Sequence, residues 1–429
     1  MPIALTATQA LAALRAGTLT SERLVSACLE RIAEREPHLH AWVEVQASQA
    51  LEQARACDRL PATRPLHGLP LGVKDVLDVQ GFPTRCQSPI HAGARPGLDA
   101  ACVAAARRAG AIILGKTATS EFAYVTPAST RNPHHPDHTP GGSSSGSAAA
   151  VAAQMVPLAL ATQTGGSTIR PAAYCGIVGF KPSFGLINRA GLKSVAESLD
   201  TIGLMARSVD DVALLAGVLA YRPLSMPAAS AVSVHGPRIA FCPGFLQAHA
   251  QADAVAHLHE AAERLAAAGA RLSRVELPEA LEHLASDQAL VMEFEAARAL
   301  LPEQHAHPDL LSPALRGRLA RGWSHAWADY RQALDRAAWG RRQLDRVFAQ
   351  YDAILTYSAC GQAPATLSHA GDSVMNRAWT LLGLPCLALP TAMGASGLPL
   401  GIQWVGAPGR DEQLLGLARW AERRLSGGA

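Results

Sequence analysis

Residues 66–79 read LHGLPLGVKDVLDV, and residues 99–114 read DAACVAAARRAGAIIL. The first stretch holds short apolar runs jointed by Gly and Pro, which predicts strand. The second predicts a helix over 99–109, closed by Gly110, and then a buried strand over the AIIL at 111–114. Strand, helix and strand in succession predict an α/β layered fold. Downstream the alternation continues. A helix is expected from Ala148, and the run VPLALAT at 156–162 reads as a strand that leads into QTGGSTIRPA. Further strand candidates lie at Arg238–Phe241 and Ala353–Tyr357. Upstream, the first sixty residues read as helices. Thr6 and Gln9 have capping-box spacing, and Leu24, Val25, Cys28, Leu29 and Ile32 recur at helical spacing. Residues 251–350 read as mostly helical.

Composition bounds the function. The 429 residues are 49% hydrophobic and 17% charged, enough for a large core and too apolar for a disordered chain. Lys and Arg number 38 against 35 Asp and Glu, a net charge of +3. That balance supplies no basic field for nucleic acid or an anionic membrane. The eight cysteines are scattered without a C-x-x-C, which favours reduced, buried thiols over a disulfide framework or a zinc site. The N-terminus reads as an amphipathic helix and not a signal peptide, and no run of about 18 apolar residues occurs. A cytoplasmic protein with no nucleic acid or membrane partner is expected. No internal repeat or clear linker is present, so one domain over 1–429 is expected. Its parts are N-terminal helices at 1–65, a core at 66–245, a helical excursion at 246–350 that shapes the substrate pocket, and a return to the core at 351–429.

Four short signals bear on chemistry. Gly142-Ser143-Ser144-Ser145-Gly146 is a literal G-x-S-x-G, but a nucleophile elbow needs a strand just before it, and residues 136–142 read as a loop. His134, His135, Asp137 and His138 have metal-ligand chemistry, yet Pro136 splits them and no H-x-x-x-H spacing joins two imidazoles; a polar loop is the plainer reading. The 126–147 stretch as a whole has the composition of a linker, although long structureless loops in compact domains are usually functional. Thr164-Gly165-Gly166-Ser167 is either an ordinary turn or a nest of N–H groups with a serine at its end. Lys74, inside an apolar strand, either points to solvent, pairs with Asp75 or Asp78, or is a desolvated base.

Taken together, Lys74, the run Gly141-Gly142-Ser143-Ser144-Ser145-Gly146-Ser147-Ala148-Ala149 and the run Gln163-Thr164-Gly165-Gly166-Ser167 resemble the amidase signature family. Spacings of 69 from Lys74 to Ser143 and 24 from Ser143 to Ser167 match that family. The likeness continues through Pro171-Ala172-Ala173-Tyr174-Cys175-Gly176 and returns at Leu382-Gly383-Leu384-Pro385 and Gly397-Leu398-Pro399-Leu400-Gly401. It covers about residues 66–210 and 350–425.

The resemblance implies a single large α/β/α sandwich with a central mixed, twisted sheet covered by helices. It implies a hydrolase of small amides with a Ser–cisSer–Lys triad and no metal or organic cofactor. Ser167 is then the nucleophile, Ser143 in a cis peptide the bridge, and Lys74 the base. The N–H groups of Thr164, Gly165, Gly166 and Ser167 form the oxyanion hole. Ser144 and Thr162 are expected to hydrogen-bond the relay, and Thr119 and Tyr124 to sit at the substrate pocket. Two departures stand out. Many members carry Asp at the place of Gln163 and Arg at the place of Ile169. The form Gln-Thr-Gly-Gly-Ser-x-Ile-Arg-Pro resembles a bacterial branch with malonamidase-like enzymes, in which the arginine matching Arg170 holds a substrate carboxylate. Alternatively Arg170 satisfies backbone carbonyls. Trp323, Trp327 and Trp339 line a pocket or lid, or pack helices, the latter being the plainer reading.

Three other functions compete with the amidase. A carbamate or urethane hydrolase uses the same acyl chemistry. An ammonia-supplying component of a tRNA amidotransferase complex passes its product to a partner. A non-catalytic binding protein on the same scaffold does not need Lys74, Ser143 and Ser167. Monomer and homodimer both stay open.

Overall fold

A computed structural model describes residues 2–222, 224 and 236–425; residues 1, 223, 225–235 and 426–429 of the expected 1–429 span lie outside it. The N-terminal segment contains α1 (Ala7–Arg15), α2 (Ser21–Leu39), β1 (Trp42–Val45) and α3 (Ala47–Asp58). The core follows with β2 (Pro70–Lys74), α4 (Ala101–Arg108), β3 (Ile112–Thr117), α5 (Ser145–Ala152), β4 (Leu158–Gln163), α6 (Ile169–Cys175), β5 (Val178–Lys181), β6 (Thr201–Ala206) and α7 (Val209–Leu219). Next come β7 (Arg238–Phe241), α8 (Ala252–Ala267), β8 (Arg271–Arg274), α9 (Leu284–Ala299), α10 (Leu301–Ala306), α11 (Pro313–Ser324) and α12 (Trp327–Gln350). The chain closes with β9 (Ala353–Tyr357), α13 (Val374–Leu381), β10 (Cys386–Met393), β11 (Pro399–Val405) and α14 (Asp411–Leu425).

The strands form one mixed sheet in the order β1-β3-β2-β4-β6-β5-β10-β11-β9-β7-β8. Helices cover it, giving the expected α/β sandwich. β2 runs parallel to β3 and β4, whereas β4, β6, β5, β10, β11 and β9 pair antiparallel in turn. All residues of β2, β3 and β4 are buried, because helices lie on both faces. This is why those strands read as apolar runs without alternation.

Two local readings change. The first sixty residues are not wholly helical, since Trp42–Val45 pairs antiparallel with β3 at the sheet edge. Four residues between two helices are too few for a periodic signal. The helix expected from Ala148 begins at Ser145, so half of the serine run is helical. Gly146 permits this start: a Cβ there would lie 2.2 Å from the Ala41 carbonyl oxygen. The 126–147 stretch is tied across the fold. Asn132 Nδ2 donates to the Thr139 and Tyr174 carbonyls, Thr130 Oγ1 to the His40 carbonyl, and His138 Nδ1 bonds the Ala363 carbonyl. Among the described residues no His, Cys, Asp and Glu group is arranged to hold a metal, and no helix is long and apolar enough to cross a membrane.

Candidate active site

Lys74 ends β2 and is fully buried. The parallel register of β2 and β4 brings Thr162 beside it, and the loop before α5 brings Ser143. Its Nζ lies 2.7 Å from Ser143 Oγ and 2.8 Å from Thr162 Oγ1. Asp75 is not its partner; Asp75 pairs with Lys116 at 2.8 Å, within a second buried pair. Asp75 is the first residue beyond β2, and its carboxylate is taken up by Lys116 of β3. Burial pushes the Lys74 amine down to about 7, against the opposing charge of Asp200. The Gly142–Ser143 peptide is cis. Ser144 Oγ bonds both the carbonyl and the N–H of Thr162, holding the serine loop against β4.

The Thr164–Ser167 turn follows β4 and is pinned on all sides. Gln163 Oε1 accepts from the N–H groups of Thr168 and Ile169, and its Nε2 donates to Thr380 Oγ1. Thr380 Oγ1 also lies 2.7 Å from the Gly165 carbonyl. Thr164 Oγ1 donates to Asp200 at 2.6 Å, and Gln288 Nε2 from α9 donates to the Thr164 carbonyl at 2.7 Å. With the carbonyls of the turn held outward, its N–H groups meet no acceptor among the described residues. Gln163 thus performs through neutral amide bonds what its place in the turn requires.

Gly166 has no room for a side chain. A Cβ would sit 2.4 Å from Asn376 Oδ1 and 2.8 Å from Ser373 Cβ. Gly166→Ala is expected to destabilise the protein by about 1–3 kcal/mol through overpacking, read as a lowered Tm. An unchanged Tm would show that the turn relaxes freely.

Ser167 is almost buried and lines a cavity of about 230 Å³ with Gly165, Gly166, Arg170 and Tyr124. Burial, aided by the charge of Glu293, raises the Tyr124 phenol, which therefore stays protonated. Arg170 is committed to the backbone: Nη1 donates to the Gly371 carbonyl at 2.5 Å and Nη2 to the Gly142 carbonyl at 2.6 Å. Thr119 is buried but lies outside the cavity lining. The three tryptophans do not line it either; Trp327 instead packs on Phe294 and Tyr330. The rest of the lining comes from places the sequence does not mark residue by residue. α9 supplies Gln288, Met292 and Glu293, α11 supplies Arg318, and the 369–377 stretch supplies His369, Ser373 and Arg377. Glu293 is held by Arg318, Arg321 and His325. Although its burial acts the other way, their hydrogen bonds keep its carboxyl below the usual range. A wider, apolar concavity of about 650 Å³ lies between α4 and α7, away from Ser167.

A buried lysine on the hydroxyls of Ser143 and of Thr162, two residues before the Gly-Gly turn that ends in Ser167, has the parts of an acyl-transfer centre. A family model described as Amidase matches residues 23–415. A glutamyl-tRNA(Gln) amidotransferase subunit from Roseiflexus castenholzii is 36% identical, across 96% of this chain and 94% of that protein. The crystal structure of an amidase superposes with a TM-score of 0.90 at 32% identity, covering 98% of this chain and 100% of the other. The peptide amidase of Stenotrophomonas maltophilia does so with a TM-score of 0.83 at 30% identity, covering 98% and 97%. The chain belongs to the amidase family. Its activity class is the hydrolysis of C–N bonds.

Proposed function

We propose that this protein is a serine amidohydrolase acting on a small amide through Ser167, Ser143 and Lys74. The observation that carries the reading is the 2.7 Å contact of buried Lys74 with Ser143, next to the turn that ends in Ser167. With its amine near neutrality, Lys74 accepts the Ser143 proton while Ser143 accepts that of Ser167. Ser167 Oγ attacks the amide carbonyl. The N–H groups of Thr164, Gly165, Gly166 and Ser167 receive the developing oxyanion, each such donor being worth about 2.7–4 kcal/mol. The relay returns the proton to the leaving nitrogen, the C–N bond breaks, and water then releases the acyl group from Ser167. Arg170 steadies this arrangement by tying the Gly142 carbonyl, beside Ser143, to the Gly371 segment.

Asp200 serves as a positioning residue for both halves of the site. Its Oδ1 holds Thr164, while its Oδ2 accepts from Ser194 Oγ and from the N–H groups of Val195 and Ala196. Its negative charge favours protonated Lys74. Asp200→Asn is therefore expected to move the acid limb of the kcat/KM profile to lower pH and to reduce kcat about 10-fold. An acid limb that stays in place would remove Asp200 from the electrostatics of Lys74.

A second reading comes from the curated relatives, which are named as components of an amidotransferase. On that reading the same centre hydrolyses glutamine and a partner protein receives the ammonia. One experiment separates the two. Ammonia or amine release is measured on small amides, carbamates and glutamine, for the chain alone and with any co-purified protein, using Ser167→Ala as blank. Turnover of a small amide or carbamate by the chain alone supports the free-standing enzyme. Glutamine turnover that requires a partner supports the amidotransferase component.

A further inference from the structure

We infer that α9 of the helical excursion sets the geometry of the Thr164–Ser167 turn, with Glu295 as a positioning residue that acts through Ser198 and Asp200 on Thr164. The inference rests on Ser167 being the nucleophile and on that turn receiving the oxyanion.

Gln288, Met292 and Glu295 stand at spacings of four and three residues on α9, so they share one side of the helix. Gln288 holds the turn directly, through its bond to the Thr164 carbonyl. Met292 lines the cavity. Glu295, two helical turns beyond Gln288, lies outside the cavity lining and is engaged with another segment. Its carboxylate takes both donors of Ser198: Oε1 accepts from the hydroxyl at 2.6 Å and Oε2 from the backbone N–H at 3.0 Å. Oε1 also accepts from the Tyr330 hydroxyl of α12 at 2.8 Å, and the Tyr330 ring stacks on Phe294 with centroids 4.3 Å apart. A second helix thus fixes the carboxylate.

Ser198 belongs to the tight turn that presents Asp200. The N–H groups of Leu199 and Asp200 donate to the Ala196 carbonyl, and Asp200 Oδ2 accepts from Ser194, Val195 and Ala196 of the same turn. Oδ1 is left for the Thr164 hydroxyl, at 2.6 Å. Arg189 Nη1 holds this turn at the Glu197 and Asp200 carbonyls, and Glu295 ties it to the excursion. A turn closed by so many internal bonds moves as a unit, so a shift at Ser198 reaches Asp200 and with it Thr164. Two routes from α9 therefore meet on one residue: Gln288 takes its carbonyl, and Glu295, by way of Asp200, its hydroxyl. The Thr164 carbonyl and the Gly165 N–H share one peptide plane, so fixing the first aims the second. Preorganised donors of this kind act only while they keep their direction, and a misplacement of about 1 Å can cost about 100-fold in rate.

The test follows labelling of Ser167 in the full-length protein by a fluorophosphonate. Rates across probe concentrations give the rate constant at saturation and the half-saturating concentration, the end point gives the stoichiometry, and Ser167→Ala is the blank. Glu295→Ala is expected to slow saturated labelling about 10–100-fold, with half-saturating concentration and stoichiometry unchanged. Glu295→Gln, which keeps an acceptor for Ser198, should recover part of the rate, and Tyr330→Phe should slow it less than Glu295→Ala. Thr164→Val, at the far end of the route, should itself slow labelling. Adding Glu295→Ala to it should cost little more, because both changes break the same chain of contacts. A wild-type rate in Glu295→Ala, a loss confined to stoichiometry, or effects of Glu295→Ala and Thr164→Val that multiply would overturn the positioning role and leave the nucleophile standing. A wild-type protein unlabelled at Ser167 would remove the nucleophile, and the inference with it.

Discussion

Ser167→Ala is expected to lower turnover of any amide substrate by about 10⁴-fold or more, with little change in Tm. The reason lies in the division of labour in the site. On the proposed mechanism the hydroxyl forms the covalent bond to the acyl group, and none of the groups around it can replace that bond. Its removal also costs little structure, since the turn is held by Gln163, Asp200, Gln288 and Thr380 and not by the serine side chain. Ammonia release at saturating substrate, with thermal unfolding of the same samples, reads both quantities. Retention of more than a tenth of the wild-type rate would exclude Ser167 as nucleophile.

Lys74→Met carries the second large effect, and it splits activity from stability. Turnover should fall about 10³–10⁴-fold, the upper part of the range for a lost general base. In the wild type the amine must be neutral to accept a proton. With burial holding it at about 7, kcat/KM should rise with pH through about 7 and level off above. The same depression has a stability cost. Below about pH 10.5 the unfolded chain binds a proton at this lysine, while the folded site resists binding it until about pH 7. The folded state is thus disfavoured most below about pH 7, and the penalty fades as pH rises from about 7 to about 10.5. Lys74→Met removes this penalty. Its Tm should exceed that of the wild type at pH 6, with the gain shrinking toward pH 10. A kcat/KM profile flat between pH 5 and 9, with a lower Tm for Lys74→Met at pH 6, would show Lys74 to be a charged structural residue.

Arg170 and Arg377 reach the cavity by different routes. Arg170 is adjacent to the nucleophile turn in sequence, and a role in holding a substrate carboxylate or in capping backbone carbonyls was open on sequence grounds. The fold brings the Gly142 and Gly371 carbonyls to its two Nη atoms. Arg377 lies 210 residues from Ser167 in the chain and enters the cavity because α13 packs over Gly166. Nothing in its neighbourhood, DSVMNRAWT, marks it as a residue of the cavity wall.

Lys74, the serine run and the Gly-Gly turn were each ambiguous alone, and became legible through their joint resemblance to the amidase signature family, which asks for particular residue types at particular spacings. A lysine in an apolar strand and two glycines before a serine are local facts, and local facts survive in a linear sequence. The alternating strands and helices were legible for a similar reason, since burial on both faces writes apolar runs into β2, β3 and β4. The cavity was not. Its walls combine α9, α11 and the segment before α13, which are more than a hundred residues from Ser167, and their side chains look like ordinary helix-surface polarity until packing turns them inward. The partner of Lys74 was likewise settled only in space. Asp75 is its neighbour along the chain, yet the fold brings Lys116 of β3 to that carboxylate and leaves Lys74 to two hydroxyls, Ser143 and Thr162.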